Sequence, residues 1–150
     1  MLSARELADR AEIADVIERY FVALDERDWA GLDAVFAPGA ALVYDLGAPA
    51  RSTHPEMLEL FRPFCEQFVV TQHLASPPLV ELAGDRARAR TKLRALHVQE
   101  DPSGARNVWT VYGVYYDVLA RGPAGWRIVE RHFRSLHLEG ALWPAERARR

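Results

Sequence analysis

From Arg86 to His97 the chain alternates strictly: Arg86, Arg88, Arg90, Lys92 and Arg94 occupy one set of positions, Ala87, Ala89, Thr91, Leu93, Ala95 and His97 the other. Side chains of a strand point to opposite faces in turn, so this pattern sorts into one charged and one apolar face only if the segment is extended. On a helix the charges would scatter around the axis. The segment is therefore a strand with one wet face and one covered face, and it needs paired neighbours and a layer packed against its apolar side. The basic row has no interleaved aromatics, which a base-stacking surface would need, and reads as a solvated outer face. His97 falls on the inward face.

The neighbours are legible from punctuation. Turn signals at Ala83-Gly84-Asp85, Asp101-Pro102-Ser103-Gly104 and Arg121-Gly122-Pro123-Ala124-Gly125 divide the second half into strands at about 69–82, 86–100, 106–120 and 126–139. Pro77-Pro78 interrupts the first of these. Short turns between successive strands predict an antiparallel meander. Upstream, helical periodicity predicts helices at about 4–25, 28–36 and 54–67, the second stopped by Ala37-Pro38-Gly39 and the third carrying Pro63, with a strand at about 40–46 and a loop through Pro49. Helices first and strands after predict a single α+β domain over residues 1–150, its helices covering one face of a curved sheet.

Composition narrows the function classes. A chain of 150 residues with 49% hydrophobic content can bury a core and hold a pocket. Its formal net charge of −2 exerts no general pull toward nucleic acid or anionic membrane. One cysteine, Cys65, leaves no intramolecular disulfide or thiolate metal cluster. The first residues, with Arg5, Glu6, Asp9 and Arg10, lack the apolar core of a signal peptide, and no apolar run approaches the ~20 residues that span a bilayer. The expected location is cytoplasmic.

Against this background one charge is misplaced. The apolar row Ile13, Ile17, Phe21 of the first helix continues at the next four-residue step onto Asp25. A carboxylate at a core position costs several kcal/mol unless it is hydrogen-bonded or used. Asp25 also fits a plain role in the turn Asp25-Glu26-Arg27-Asp28. Among the 5 histidines, His54 precedes Pro55 and is expected to be exposed, while His132 and His137 are expected on opposite sides of a regular strand. No histidine pair has zinc-site spacing, so no metal is expected. His73, in Thr71-Gln72-His73-Leu74, joins His97 as a second inward histidine. Two imidazoles and one carboxylate suit proton transfer, and Tyr20, Tyr44, Tyr112, Tyr115 and Tyr116 supply phenols able to polarise a carbonyl or hold an enolate. No serine-hydrolase elbow, phosphate loop or dinucleotide fingerprint is present in the sequence, and no cofactor is expected.

The segments Tyr20-Phe21-Val22-Ala23-Leu24-Asp25 with Asp28-Trp29, Thr71-Gln72-His73, and Gly125-Trp126-Arg127-Ile128, in that order and spacing, resemble the nuclear-transport-factor-2-like superfamily. The nearest resemblance is to its SnoaL-like branch, with scytalone dehydratase and the bile-acid dehydratases, and it spans about Ala11 to Leu138. The resemblance implies a cone-shaped α+β barrel in which a strongly bent antiparallel sheet wraps three helices around a deep pocket. It implies that Asp25 is the pocket aspartate and His73 the catalytic histidine. Tyr20 and Tyr44 match pocket tyrosines, His97 matches a second pocket histidine, and Arg134 matches a pocket arginine near the C-terminus. Trp29, Tyr112 and Arg134 are accordingly expected at the substrate. The chain departs from scytalone dehydratase at Leu24, where that enzyme has tyrosine, and at Val111 and Gly113, near its serine and asparagine, which argues against scytalone as substrate.

The expected function is a cofactor-independent lyase of dehydratase type acting on a small, apolar, cyclic hydroxy-ketone, with ketosteroid-isomerase-like or polyketide-cyclase-like chemistry as the nearest alternative. A non-catalytic small-ligand-binding or dimerisation domain, and an associated subunit of a larger enzyme, are the alternatives of a different class. A homodimer or larger homo-oligomer is expected because an open sheet face bearing Trp109 and Tyr115 would need covering.

Overall fold

The computed structural model describes residues 1–45, 50–144 and 147. Helix α1, Ala4–Glu26, opens on a reciprocal cap in which Ser3 and Glu6 satisfy each other's backbone N–H groups. It buries the stripe Ile13, Val16, Ile17, Tyr20, Phe21 and Leu24. The strands are β1 (Phe36–Asp45), β2 (Ala50–Thr53), β3 (Val70–Ala75), β4 (Leu79–Ala83), β5 (Arg86–Glu100), β6 (Arg106–Gly122) and β7 (Gly125–Glu139), with α2 (His54–Cys65) between β2 and β3. They form one sheet in the order β2-β1-β7-β6-β5-β3, with β4 also pairing β5. The helices lie inside the curve of this unclosed sheet, which is the cone-like α+β architecture the sequence implied.

Four features of the architecture, and the placement of three histidines, differ from expectation. The segment at 28–36 forms only a single 3₁₀ turn, Gly31–Ala34, so α1 and α2 are the two α-helices among the described residues. Asp28 accepts the Gly31 N–H at 3.0 Å and shapes this turn, and the Ile128 N–H bonds to the Val35 carbonyl at 2.9 Å, drawing the following residues alongside β7. The apolar residues Leu32, Val35 and Phe36 still reach the core, but through a turn and a strand. Secondly, the sheet is mixed, because β1 runs parallel to β7 while the other pairings are antiparallel. A long crossover of helix and strands separates these two partners in sequence, leaving them free to align in parallel. Thirdly, the loop expected before the last helix contains β2 at its end; the part through Pro49, and the last residue of the strand expected at 40–46, lie outside the described residues. Fourthly, Trp109 and Tyr115 are buried on the inner face of the sheet, so they are not the exposed surface from which self-association was expected.

The alternating strand β5 spans the expected residues, its five basic side chains exposed and Ala87, Ala89, Thr91, Leu93, Ala95 and His97 buried. Pro77-Pro78 falls in the break between β3 and β4. Pro63 sits inside α2 without ending it. A register shift between Tyr112 and Gly113 inserts an extra residue into β7, which leaves His132 and His137 beside Tyr116 and Tyr112, both solvent-exposed, rather than on opposite faces. His54, expected to be exposed, is buried against the Phe36 ring at 4.9 Å, with Asp33 3.7 Å from its Nδ1. Burial pushes its pKa down, with Asp33 opposing.

Candidate active site

Asp25 is the first side chain past the buried stripe of α1, and the helix stops at once because Arg27 adopts the left-handed conformation (φ 60°). That stop brings the carboxylate to β3, which is the edge strand of the sheet. His73 uses both of its nearby donors on it: its backbone N–H donates to Asp25 Oδ2 at 2.8 Å, and its ring Nδ1 lies 2.7 Å from Asp25 Oδ1. Burial opposes ionisation of Asp25, but hydrogen bonds from the His73 ring and backbone, with help from the Thr71 hydroxyl, hold its pKa below the ordinary carboxylate value. An ionised carboxylate only accepts, so the Nδ1 carries a proton toward Asp25, and in the neutral imidazole the lone pair sits on Nε2. The imidazole stacks on the Phe21 ring at 5.9 Å, which fixes its plane.

His73 borders a cavity of about 270 Å³. Its walls are mainly aliphatic and aromatic, with Phe61 and Phe64 from α2 and Trp109 and Phe133 from the sheet. Gly113 is required beneath Phe133, since an added Cβ would collide with that ring, and the aromatic ring closes the wall there. The polar groups are few: His73, His97, Tyr20, Tyr44, Tyr115 and the Cys65 thiol. His97 lies between Phe68 and Trp109 with its ring 5.7 Å from that of His73. Burial, reinforced by His73, pushes its pKa down to about 4, so it is neutral at pH 7, and its Nδ1 has no hydrogen-bond partner among the described residues. Burial likewise raises the Cys65 thiol pKa, which removes it as a nucleophile.

The tyrosines form a second polar group. The Tyr20 hydroxyl lies 2.8 Å from that of Tyr44 and 3.3 Å from that of Tyr115. Behind them Arg131 is held by a bidentate pair with Asp117 at 2.7 and 2.8 Å, both side chains fully buried. Its guanidinium lies over the Tyr20 and Tyr115 rings at 4.1 and 4.0 Å. Burial raises the pKa of all three phenols; for Tyr44 the Arg131 charge is the largest opposing influence, and its rise is smaller than those of Tyr20 and Tyr115.

Five of the sequence-derived residues thus meet around one space: His73, His97, Tyr20 and Tyr44 line it and Asp25 orients His73. The other three lie elsewhere. Trp29 packs on the outside of the core beneath Arg62, whose guanidinium is 5.8 Å from the indole. Tyr112 is on the outer sheet face, donating to Glu139 at 2.8 Å, and Arg134 is exposed. Arg134 and Arg131 are an odd number of residues apart, so only one can point inward, and Phe133 shares the inward register with Arg131. The Asp117–Arg131 pair was missed, although Asp117 lies two residues beyond the inward Tyr115 and its partner across the ladder is Arg131.

The SnoaL-like domain pattern matches residues 5–132 of the chain. The chain belongs to the SnoaL-like family. This SnoaL-like protein is 30% identical over 135 residues to the uncharacterized protein Rv2910c of Mycobacterium tuberculosis, covering 87% of this chain and 88% of that one. Its fold is shared with a scytalone-dehydratase-like protein of Novosphingobium aromaticivorans (TM-score 0.78, 19% identity, 92% of this chain and 91% of that chain covered). A hexachlorocyclohexane dehydrochlorinase, LinA type 2, also has this fold (TM-score 0.74, 16% identity, 91% and 90% covered). The fold is therefore that of the nuclear-transport-factor-2-like superfamily.

Proposed function

We propose that this SnoaL-like protein is a cofactor-independent acid–base lyase acting on an uncharged, compact cyclic hydroxy-ketone. The observation that carries the reading is the 2.7 Å contact of His73 Nδ1 with Asp25, which leaves Nε2 as the free basic atom on an apolar cavity. His73 Nε2 removes a proton alpha to the carbonyl, the C–H electron pair passes into the enolate, and Asp25 stabilises the imidazolium. Tyr44, the least perturbed of the three phenols, donates to the carbonyl oxygen as charge develops there, with Arg131 stabilising the hydroxyl cluster. The enolate then collapses, the β-carbon–oxygen bond breaks, and His73 returns its proton to the departing hydroxyl, giving an enone and water. Asp117 already neutralises Arg131, so a substrate carboxylate finds no unpaired cation there.

Solvent deuterium exchange followed by NMR tests the first step before any product is assumed, using cyclic ketones, β-hydroxyketones and chlorinated cyclohexanes. Wild type should exchange the alpha position of at least one of the ketones. Asp25→Asn and His73→Ala should lose about 10²–10⁴-fold. Ligands that bind without exchange across the panel would overturn the acid–base reading in favour of a binding domain, and the product formed separates dehydration from isomerisation or cyclisation.

A further inference from the structure

Arg27 is the one non-glycine residue with positive φ among the described residues. Left-handed backbone costs an ordinary side chain about 1–2 kcal/mol, and glycine is the usual occupant of such a helix terminus. The arginine side chain makes three bonds that glycine could not. Its Nη1 donates to the Leu24 carbonyl at 2.6 Å and to the Thr71 hydroxyl at 2.8 Å, and its Nη2 donates to the Cys65 carbonyl at 3.0 Å. These acceptors belong to the end of α1, the start of β3 and the end of α2. Leu24 and Cys65 both border the cavity, and Thr71 lies two residues before His73, its hydroxyl helping to hold the Asp25 pKa down.

We propose that Arg27 is a positioning residue that holds Asp25 and His73 in register, an inference resting on the acid–base reading above. It does not line the cavity and acts through Thr71 and the two helix ends. At this corner three elements converge, and the dyad bridges two of them: α1 carries the carboxylate, and edge strand β3 carries the imidazole. Arg27 adds to the dyad's own bonds a tie of both elements to the end of α2, and a displacement of about 1 Å in a reacting group costs on the order of 10²-fold in rate. A guanidinium suits this task because its rigid fork of donors serves several acceptors at once, whereas an ammonium is a single point.

Arg27→Gly separates positioning from capping, since glycine accepts the left-handed backbone while removing the fork. Two readouts follow it: the downfield NMR resonance of the His73 Nδ1 proton, which needs no turnover, and kcat for exchange. Arg27→Gly should stay folded, broaden or lose the resonance and lower kcat about 10–100-fold, and millimolar guanidinium should restore both. Retention of the wild-type resonance and kcat, whatever the change in melting temperature, would overturn the proposal. If the glycine variant fails to fold, Arg27→Lys reads the same signals, loss supporting the proposal and retention overturning it. If wild type shows no exchange, the resonance alone decides Arg27's role while the acid–base reading fails separately.

Discussion

Two carboxylates on inward-facing positions, Asp25 and Asp117, each hold a nitrogenous partner, at 2.7 Å from His73 in one case and 2.7 and 2.8 Å from Arg131 in the other. The difference lies in the partner. Imidazole exchanges protons near neutral pH, whereas guanidinium keeps its charge throughout the working range. The Asp25 pair is also only partly enclosed, with 24% of the Asp25 side chain exposed, while the Asp117 pair is sealed and capped by two phenol rings. Similar local wiring therefore pairs a carboxylate with an imidazole at one place and with a permanent cation at the other.

The contrast breaks most visibly at Asp117. Asp117→Asn leaves the Arg131 cation buried without its counter-charge and should cost about 3–5 kcal/mol in denaturant unfolding. Asp25→Asn should cost less than that, because its partner can be neutral. Equal losses in the two variants would show that both pairs are structural.

Tyr44→Phe sharpens the comparison from the other side. Removing the hydroxyl should lower kcat for exchange by about 10²–10³-fold, as expected for loss of one oxyanion donor, with the substrate constant changed far less. Unchanged kcat would remove Tyr44 from the reaction and leave the phenol cluster as packing around Arg131.

His97 gives an effect whose sign is set by pH. Its folded pKa of about 4 lies below the ordinary value of 6.5, so the unfolded chain binds the additional proton as pH falls from 6.5. Acid therefore favours unfolding, and the stability contributed by neutral His97 is full above pH 6.5 and lost by about pH 4, amounting to about 3 kcal/mol. His97→Gln should flatten that part of the stability–pH curve relative to wild type. A variant with the wild-type slope would assign the acid sensitivity elsewhere, with buried His54 the next group to change.

The fold was legible wherever local pattern and tertiary demand coincide. The period-two charge pattern of Arg86–Arg94 and the glycine-containing turns predicted β5, β6 and β7 nearly residue for residue. The segment after Asp28 misled because its apolar spacing serves helix and core equally, and the decisive interaction, Ile128 N–H to the Val35 carbonyl, comes from the far end of the chain. The site followed the same division. Asp25 announced itself as a charge on an apolar helix face, and His97 through strand alternation. Arg131 was hidden because a bulged strand spoils simple counting and because its neutralising partner lies on another strand.

The sequence by itself determined the α+β order of elements, the solvated basic face and the inward placement of Asp25 and His97, because each follows from a periodicity confined to one segment. Only the tertiary structure decided that Asp25 meets His73, that Arg131 rather than Arg134 turns inward, and that three tyrosine hydroxyls gather before it. Those contacts join residues far apart in the chain, and their geometry depends on where α1 stops, how β7 bulges and how the sheet curves, none of which is encoded by any one segment alone.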